Sequence, residues 1–175
     1  MSGSTRRRFV QQSAAIGIGL VAGSSSRVFA ANDKISVACI GVRGRGNSVM
    51  QSFAAEPDCE ITHICDVREP IRRQRAEEMK QRTGHMPKLV NDYRSLLHDK
   101  SVDVFMVATP DHWHALLTID GCLAGKDVYV EKPASHNMLE GKIAVAAARK
   151  NDCMVQMGTQ IRSAPFLREA VEYVK

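Results

Sequence analysis

The sequence predicts an α/β fold organised as a doubly wound parallel sheet, and three observations predict it. A run of β-formers (Ile35, Val37, Ile40) breaks into glycines at 41, 44 and 46, then into a segment, NSVMQSFAA, that can be helical. Short apolar runs go on alternating with helical stretches to the end of the chain. Each conspicuous polar cluster follows directly on one of those apolar runs. Such alternation implies right-handed βαβ crossovers, and in such sheets ligands sit beyond the carboxyl ends of the strands.

Taken in order, the first strand is 35–40, and its helix opens at Asn47 and Ser48. Glu60 to Cys65 (EITHIC) reads as the second strand, followed by a helix with Pro70 in its first turn and Gly84 at its stop. Lys88 to Val90 is a short third strand, after which Asp92 can cap a turn around Leu96 and Leu97. Val102 to Ala108 is almost continuously apolar, as suits a central parallel strand covered on both faces. A helix over 113–124 follows, with Asp111 or a nearby group as cap and Gly125 as terminator. The fifth strand is Asp127 to Val130; Ser135 then caps a helix from Met138 to Lys150. Met154 to Gly158 is the sixth strand, and a last helix starts at Pro165.

The strand, glycine-rich turn and helix start form the first βα unit of a dinucleotide-binding sheet. Gly41 permits the tight turn, Gly46 lets helix and strand pack closely, and free N–H groups at the helix start face a pyrophosphate. The loop residues Gly41, Arg43, Gly44, Arg45 and Gly46 are therefore the expected phosphate contacts. Arg43 departs from the G-x-G-x-x-G template, which wants glycine there; Gly44 can take over the close backbone approach. An ordinary tight turn is the competing reading of the loop. Asp66 ends the second strand, 25 residues after Gly41, near the spacing at which a carboxylate meets the adenosine ribose hydroxyls. It can equally cap the next helix. A carboxylate there repels a 2′-phosphate and so favours NAD, although Arg68, Arg72 and Arg73 follow closely and one of them can accommodate NADP.

The first 30 residues read as an address rather than as structure. Thr5 to Val10 (TRRRFV) resembles the twin-arginine export motif, a Gly/Ala-rich apolar stretch follows from Ala14 to Ala22, and Val28-Phe29-Ala30 is a small-residue cleavage pattern. The apolar run is short of the ~18 residues a membrane span needs, so a cleaved leader is favoured over an anchor or a basic tail. The formal net charge is +5, but Arg6, Arg7, Arg8 and Arg27 lie in this leader with no acid beside them. The remainder is close to neutral, which gives no support to nucleic-acid binding. The five cysteines are odd in number and form no C-x-x-C pair, against a zinc site or a disulfide framework.

The order of motifs (glycine-rich turn, strand-end Asp66, ATPDHWHA over 108–115, AGKDVYVEKP over 124–133, MGTQ over 157–160) resembles the Gfo/Idh/MocA oxidoreductases, more narrowly their exported, twin-arginine members. The resemblance runs from about Lys34 to Lys175 and implies a Rossmann-like NAD(P)-binding domain over 34–175, with NAD, or NADP, as cofactor. It implies hydride transfer at a secondary alcohol of a sugar or polyol. A redox glycosidase using bound NAD and a non-catalytic nucleotide-binding module are the alternatives. Lys132 then stands where the nicotinamide end of the cofactor would lie; its ammonium can hydrogen-bond the reacting hydroxyl and stabilise alkoxide character, or act as base if buried. A surface lysine before a turn proline is the plain alternative. The resemblance also suggests a cis Lys132–Pro133 peptide aiming that lysine inward. Thr109, Pro110 and His114 would shape the nicotinamide side, with Trp113 packing nearby, and Glu131 would pair with neighbouring donors at the cofactor. Gln160 would reach the cofactor or a sugar hydroxyl. His112 and His114 form an H-x-H pair, too few ligands for a metal, and no metal is expected. Such enzymes carry a second, substrate-binding domain that this sequence does not contain, so the chain reads as an N-terminal part. Full-length homo-oligomerisation is left open, and the twin-arginine translocase is the partner expected in export.

Overall fold

The computed structural model describes residues 34–174; the leader read over residues 1–30 and the final Lys175 lie outside them. Six strands, β1 (Ile35–Ile40), β2 (Cys59–Cys65), β3 (Lys88–Val90), β4 (Val104–Val107), β5 (Asp127–Val130) and β6 (Val155–Met157), form one all-parallel sheet in the order β3-β2-β1-β4-β5-β6. The helices are α1 (Gly44–Phe53), α2 (Glu69–Thr83), α3 (Arg94–Leu97), α4 (His114–Leu123), α5 (Met138–Lys150) and α6 (Pro165–Val174). The doubly wound sheet is as the alternation predicts.

Side chains of a strand alternate between faces, and both faces here are apolar. Val37 and Cys39 of β1 join Met106 of β4 in one core with Val49 and Met50 of α1 and Ala76 and Met79 of α2. Ala38 and Ile40 point the other way, with Phe105 and Val107, into a second core under Leu117 and Cys122 of α4. Two covered faces explain why β1 and β4 read as unbroken apolar runs. Burial pushes the Cys39 and Cys65 thiols up, that of Cys65 to about 12, so both stay protonated and serve as packing groups. All five cysteines are free.

Element ends and caps differ from the sequence reading in places; β4 is Val104–Val107 rather than 102–108, and β6 is Val155–Met157 rather than 154–158. Helix α1 begins at Gly44, not Asn47, so two glycines with poor helix propensity lie inside its first turn. The cap of α5 is Asn137, not Ser135: its side chain accepts from the Glu140 N–H at 3.0 Å, and Glu140 accepts in return from the His136 N–H at 2.9 Å. A 3₁₀ turn over Asp111–Trp113 precedes α4, with the Asp111 carboxylate accepting from the His112 N–H. The three residues of β6 are all exposed, and no residue of α6 is buried.

Candidate functional site

The loops at the carboxyl edge are held in line by one recurring bond. The N–H just past each strand donates to the last carbonyl of a neighbouring strand: Gly41 to Cys65 at 2.8 Å, Ala108 to Ile40 at 2.9 Å, Glu131 to Val107 at 2.9 Å and Gly158 to Val130 at 2.8 Å. This row places the glycine turn, Thr109, Glu131 and Gly158 side by side, although they are far apart in sequence.

Between β1, β2, β3 and β4 this edge opens into a groove of about 820 Å³. Of the residues read as cofactor contacts, Gly41, Arg43, Gly44, Asp66, Thr109 and Pro110 line it. Gly41 turns with φ +81°, and a Cβ there would lie 2.8 Å from the Ala108 oxygen. A Cβ at Gly44 would meet nothing, so the close approach expected of Gly44 is not made to protein and is left to whatever fills the groove. Gly46 packs against the Gly41 carbonyl, as close helix–strand packing requires. No side chain caps α1, whose start, at Arg43 and Gly44, lines the groove.

Asp66 is anchored rather than loose. Its Oδ2 accepts from the Val42 N–H at 3.3 Å and its Oδ1 from the Arg68 N–H at 3.0 Å. The cap residue of α2 is Arg68 itself, so the competing role for Asp66, as helix cap, is not the one it fills. Of the three arginines read as able to accommodate a 2′-phosphate, two are already engaged. Arg72 donates to the Asp66 carbonyl and to Asn91, and Arg73 pairs with Glu69. Arg68 lines the groove.

The other candidates stand outside that lining. Glu131 is buried and turned into the protein: its carboxylate accepts from Arg45 Nε at 2.9 Å and Tyr129 Oη at 3.1 Å. A Cβ on Gly158 would lie 2.8 Å from the same carboxylate and closer still to the Tyr129 hydroxyl, so a side chain there would push both away. Lys132 is exposed, so the burial that would make it a base is not met in this chain, and its peptide to Pro133 is cis. His114 is buried between the Thr109 and Pro133 carbonyls. Gln160 is exposed and opens a 3₁₀ turn; Trp113, by contrast, does line the groove, where it packs edge-on to Tyr93 with ring centroids 6.5 Å apart. Asn91, Asp92, Tyr93 and Arg94 also line the groove and were not among the predicted site residues. The signal was available, since they directly follow β3, but Asp92 was read only as a cap.

The orphaned hydroxyl of Thr109 tests whether the groove fits a nucleotide. Its Oγ1 is buried without a hydrogen-bond partner on the groove wall, and such a group calls for a ligand to satisfy it. The Gly41–Gly44 turn, the start of α1 without a side-chain cap and the anchored Asp66 carboxylate meet at the same groove.

Comparison with known proteins agrees. A family model described as an oxidoreductase family with the NAD-binding Rossmann fold matches residues 35–159. The chain is 27% identical to the uncharacterized oxidoreductase YrbE of Bacillus subtilis over 78% of its length and 38% of that protein's. It is 32% identical to a glycosyl hydrolase family 109 protein of Saccharopolyspora erythraea, over 74% of its length and 33% of that protein's. Among solved structures it resembles KijD10, a 3-ketoreductase from Actinomadura kijaniata in complex with NADP and TDP-benzene, with a TM-score of 0.70 and 26% identity, covering 81% of this chain and 42% of that one. The chain thus spans well under half the length of these relatives.

Proposed function

Because this chain belongs to the Gfo/Idh/MocA oxidoreductase family with its NAD-binding Rossmann fold, we propose that it is the nucleotide-binding part of an enzyme that moves a hydride at a secondary alcohol of a sugar or polyol. The observation that carries the reading is the groove that joins the glycine turn, the anchored Asp66 and the unpartnered Thr109 hydroxyl at one sheet edge. NAD, when bound, supplies the hydride acceptor. The protein's share is to hold and orient. Gly41, Gly44 and the start of α1 take the pyrophosphate, Asp66 the adenosine ribose, and Thr109 and Pro110 flank the reacting end. Lys132 holds a proton at its Nζ toward the substrate hydroxyl, where a positive charge stabilises developing alkoxide. The rest of the substrate site is assigned to polypeptide beyond this chain.

Asp66 places a fixed negative charge where a 2′-phosphate would have to sit, and like charges that close repel strongly. NAD is expected to bind roughly tenfold or more tightly than NADP; calorimetric titration of both decides it, and equal or reversed affinities would remove the role given to Asp66. The glycosyl hydrolase family 109 relative favours a second reading, in which glycoside cleavage proceeds through oxidation and re-reduction. Glycoside cleavage without net NADH would select that reading, reduction of NAD by a free polyol the first, and binding without turnover in the longer protein a non-catalytic module.

Export through a twin-arginine translocase, with cleavage after Ala30, is part of the same proposal. Replacing Arg6 and Arg7 by lysine is expected to stop export. Undiminished export of that variant, followed by immunoblotting of cell fractions, would refute the route.

A further inference from the structure

The ring of His114 ends on two main-chain carbonyls. Nδ1 lies 2.7 Å from the Pro133 oxygen and Nε2 2.8 Å from the Thr109 oxygen. A carbonyl oxygen can only accept, so each contact asks the ring for an N–H, and a neutral imidazole has only one. The residue is 2% exposed, and its own carbonyl accepts from the Thr118 hydroxyl at 2.8 Å.

The charged groups on the elements packed around the ring are engaged elsewhere or exposed; on α5, Glu140 holds the His136 N–H and the Asn137 amide, and Lys142, Arg149 and Lys150 are exposed. On the turn before α4, Asp111 faces His112 at 3.7 Å and His136 at 3.8 Å. On the β5 loop, Glu131 is held by Arg45 and Tyr129, and Lys132 is exposed. On α4 itself, Asp120 accepts from the Tyr93 hydroxyl at 2.7 Å. No carboxylate bonds to the ring, so what a second ring proton meets is a carbonyl.

We propose that His114 is a positioning residue: donating from both ring nitrogens at once, it ties the loop that carries Lys132 to the Thr109–Pro110 loop across the reacting end of the groove. Loss of either ring proton turns one lone pair onto a carbonyl oxygen and frees one loop. The proposal goes beyond the function proposed above and rests on it only for the identity of the ligand.

The test follows the full chain, with ¹⁵N-labelled histidine and backbone amides, by NMR from about pH 5 to about pH 8. Where the ring carries both protons, the amides of Asp111 and Ala134, just past the two tied residues, are expected to hold one position and to move in step with the ring as a proton leaves. A ring that keeps both protons throughout also supports the clamp. One unprotonated nitrogen at every pH, or a ring that titrates while neither loop responds, overturns it. A second measurement uses His114→Gln, which can reach only one of the two carbonyls. Calorimetry is expected to show NAD binding weakened about fivefold, the equivalent of one lost hydrogen bond. ADP, which stops short of the reacting end, should be unchanged. Equal losses for both, or none for either, overturn the positioning role. If the unmodified chain binds neither nucleotide, the function proposed above fails, and the ring measurement still decides the clamp.

Discussion

Gly46→Ala is expected to abolish measurable dinucleotide binding and to cost about 3 kcal/mol or more of folding stability. The new methyl group would fall on the carbonyl oxygen of Gly41, 2.9 Å from its carbon and 3.2 Å from the Ala108 Cβ. None of these atoms is the far end of a flexible side chain. Gly41 cannot retreat, because its N–H is bonded to Cys65 and its own φ of +81° already faces Ala108. Relief comes only by lifting α1 from the sheet, which draws Val49 and Met50 out of the core. Gly44→Ala is the control for folding stability alone, because Gly44 lines the groove and is itself proposed to take the pyrophosphate. It meets open space and pays only for its φ of +36°, on the order of 1–2 kcal/mol. Urea unfolding of both variants and calorimetric titration of Gly46→Ala with NAD decide the matter. A Gly46→Ala protein that binds NAD normally would mean that α1 does not sit where the loop requires.

Lys132→Ala in the longer protein proposed above should lower hydride transfer by about 10²–10⁴-fold, with NAD affinity changed by no more than about twofold. The split follows from position: Lys132 lies outside the groove lining, and its ammonium has no partner among the described residues. In the 175-residue chain the same ammonium faces water, where its charge does far less for an alkoxide than in a dry cleft. On the proposed reading the groups that hold a sugar in hydride range belong to the longer protein, so an orientation advantage of about 7–11 kcal/mol is not realised in this chain. The chain is therefore expected to bind NAD and to turn over no polyol. Steady-state assays paired with calorimetry test both halves. Reduction of NAD by this chain at ordinary enzymatic rates, or a fully active Lys132→Ala enzyme, would sink the assignment.

Much of the fold was legible because it is written locally. Apolar runs of strand length, glycines at turns and a Pro–Gly frame around α2 gave all six strands in order. Boundaries failed where packing overrode propensity: Gly44 and Gly46 argue against a helix, yet α1 starts there because close packing on Gly41 fixes the backbone. The groove residues that follow strands were readable for the same reason that the strands were. What could not be read was partnership. Arg45 and Glu131 are 86 residues apart, and no spacing rule joins them. His114 looked like one member of a histidine pair, but the ring is spent on two carbonyls that any residue types could supply. Nor does the run from Met154 to Gly158 tell that β6 lies open, since an apolar run reads the same whether its faces are covered or not.

The order of the strands also sets a timetable. β1 lies between β2, which is made soon after it, and β4, which is made much later; the Ser36 N–H reaches the Asp103 carboxylate across 67 residues. Until β4 emerges during synthesis, β1 keeps one row of backbone groups unpaired, and non-local pairing of this kind is slow. The glycine turn waits as well, because the wall it turns against is Ala108, at the far end of β4. A nascent chain ending before that residue has the phosphate loop in sequence but not in shape. Docking of β4 on β1 and creation of the nucleotide groove are then a single event, and NAD supplied during folding acts on that step, by holding β4 in place, and not on the early β1–β2 pairing.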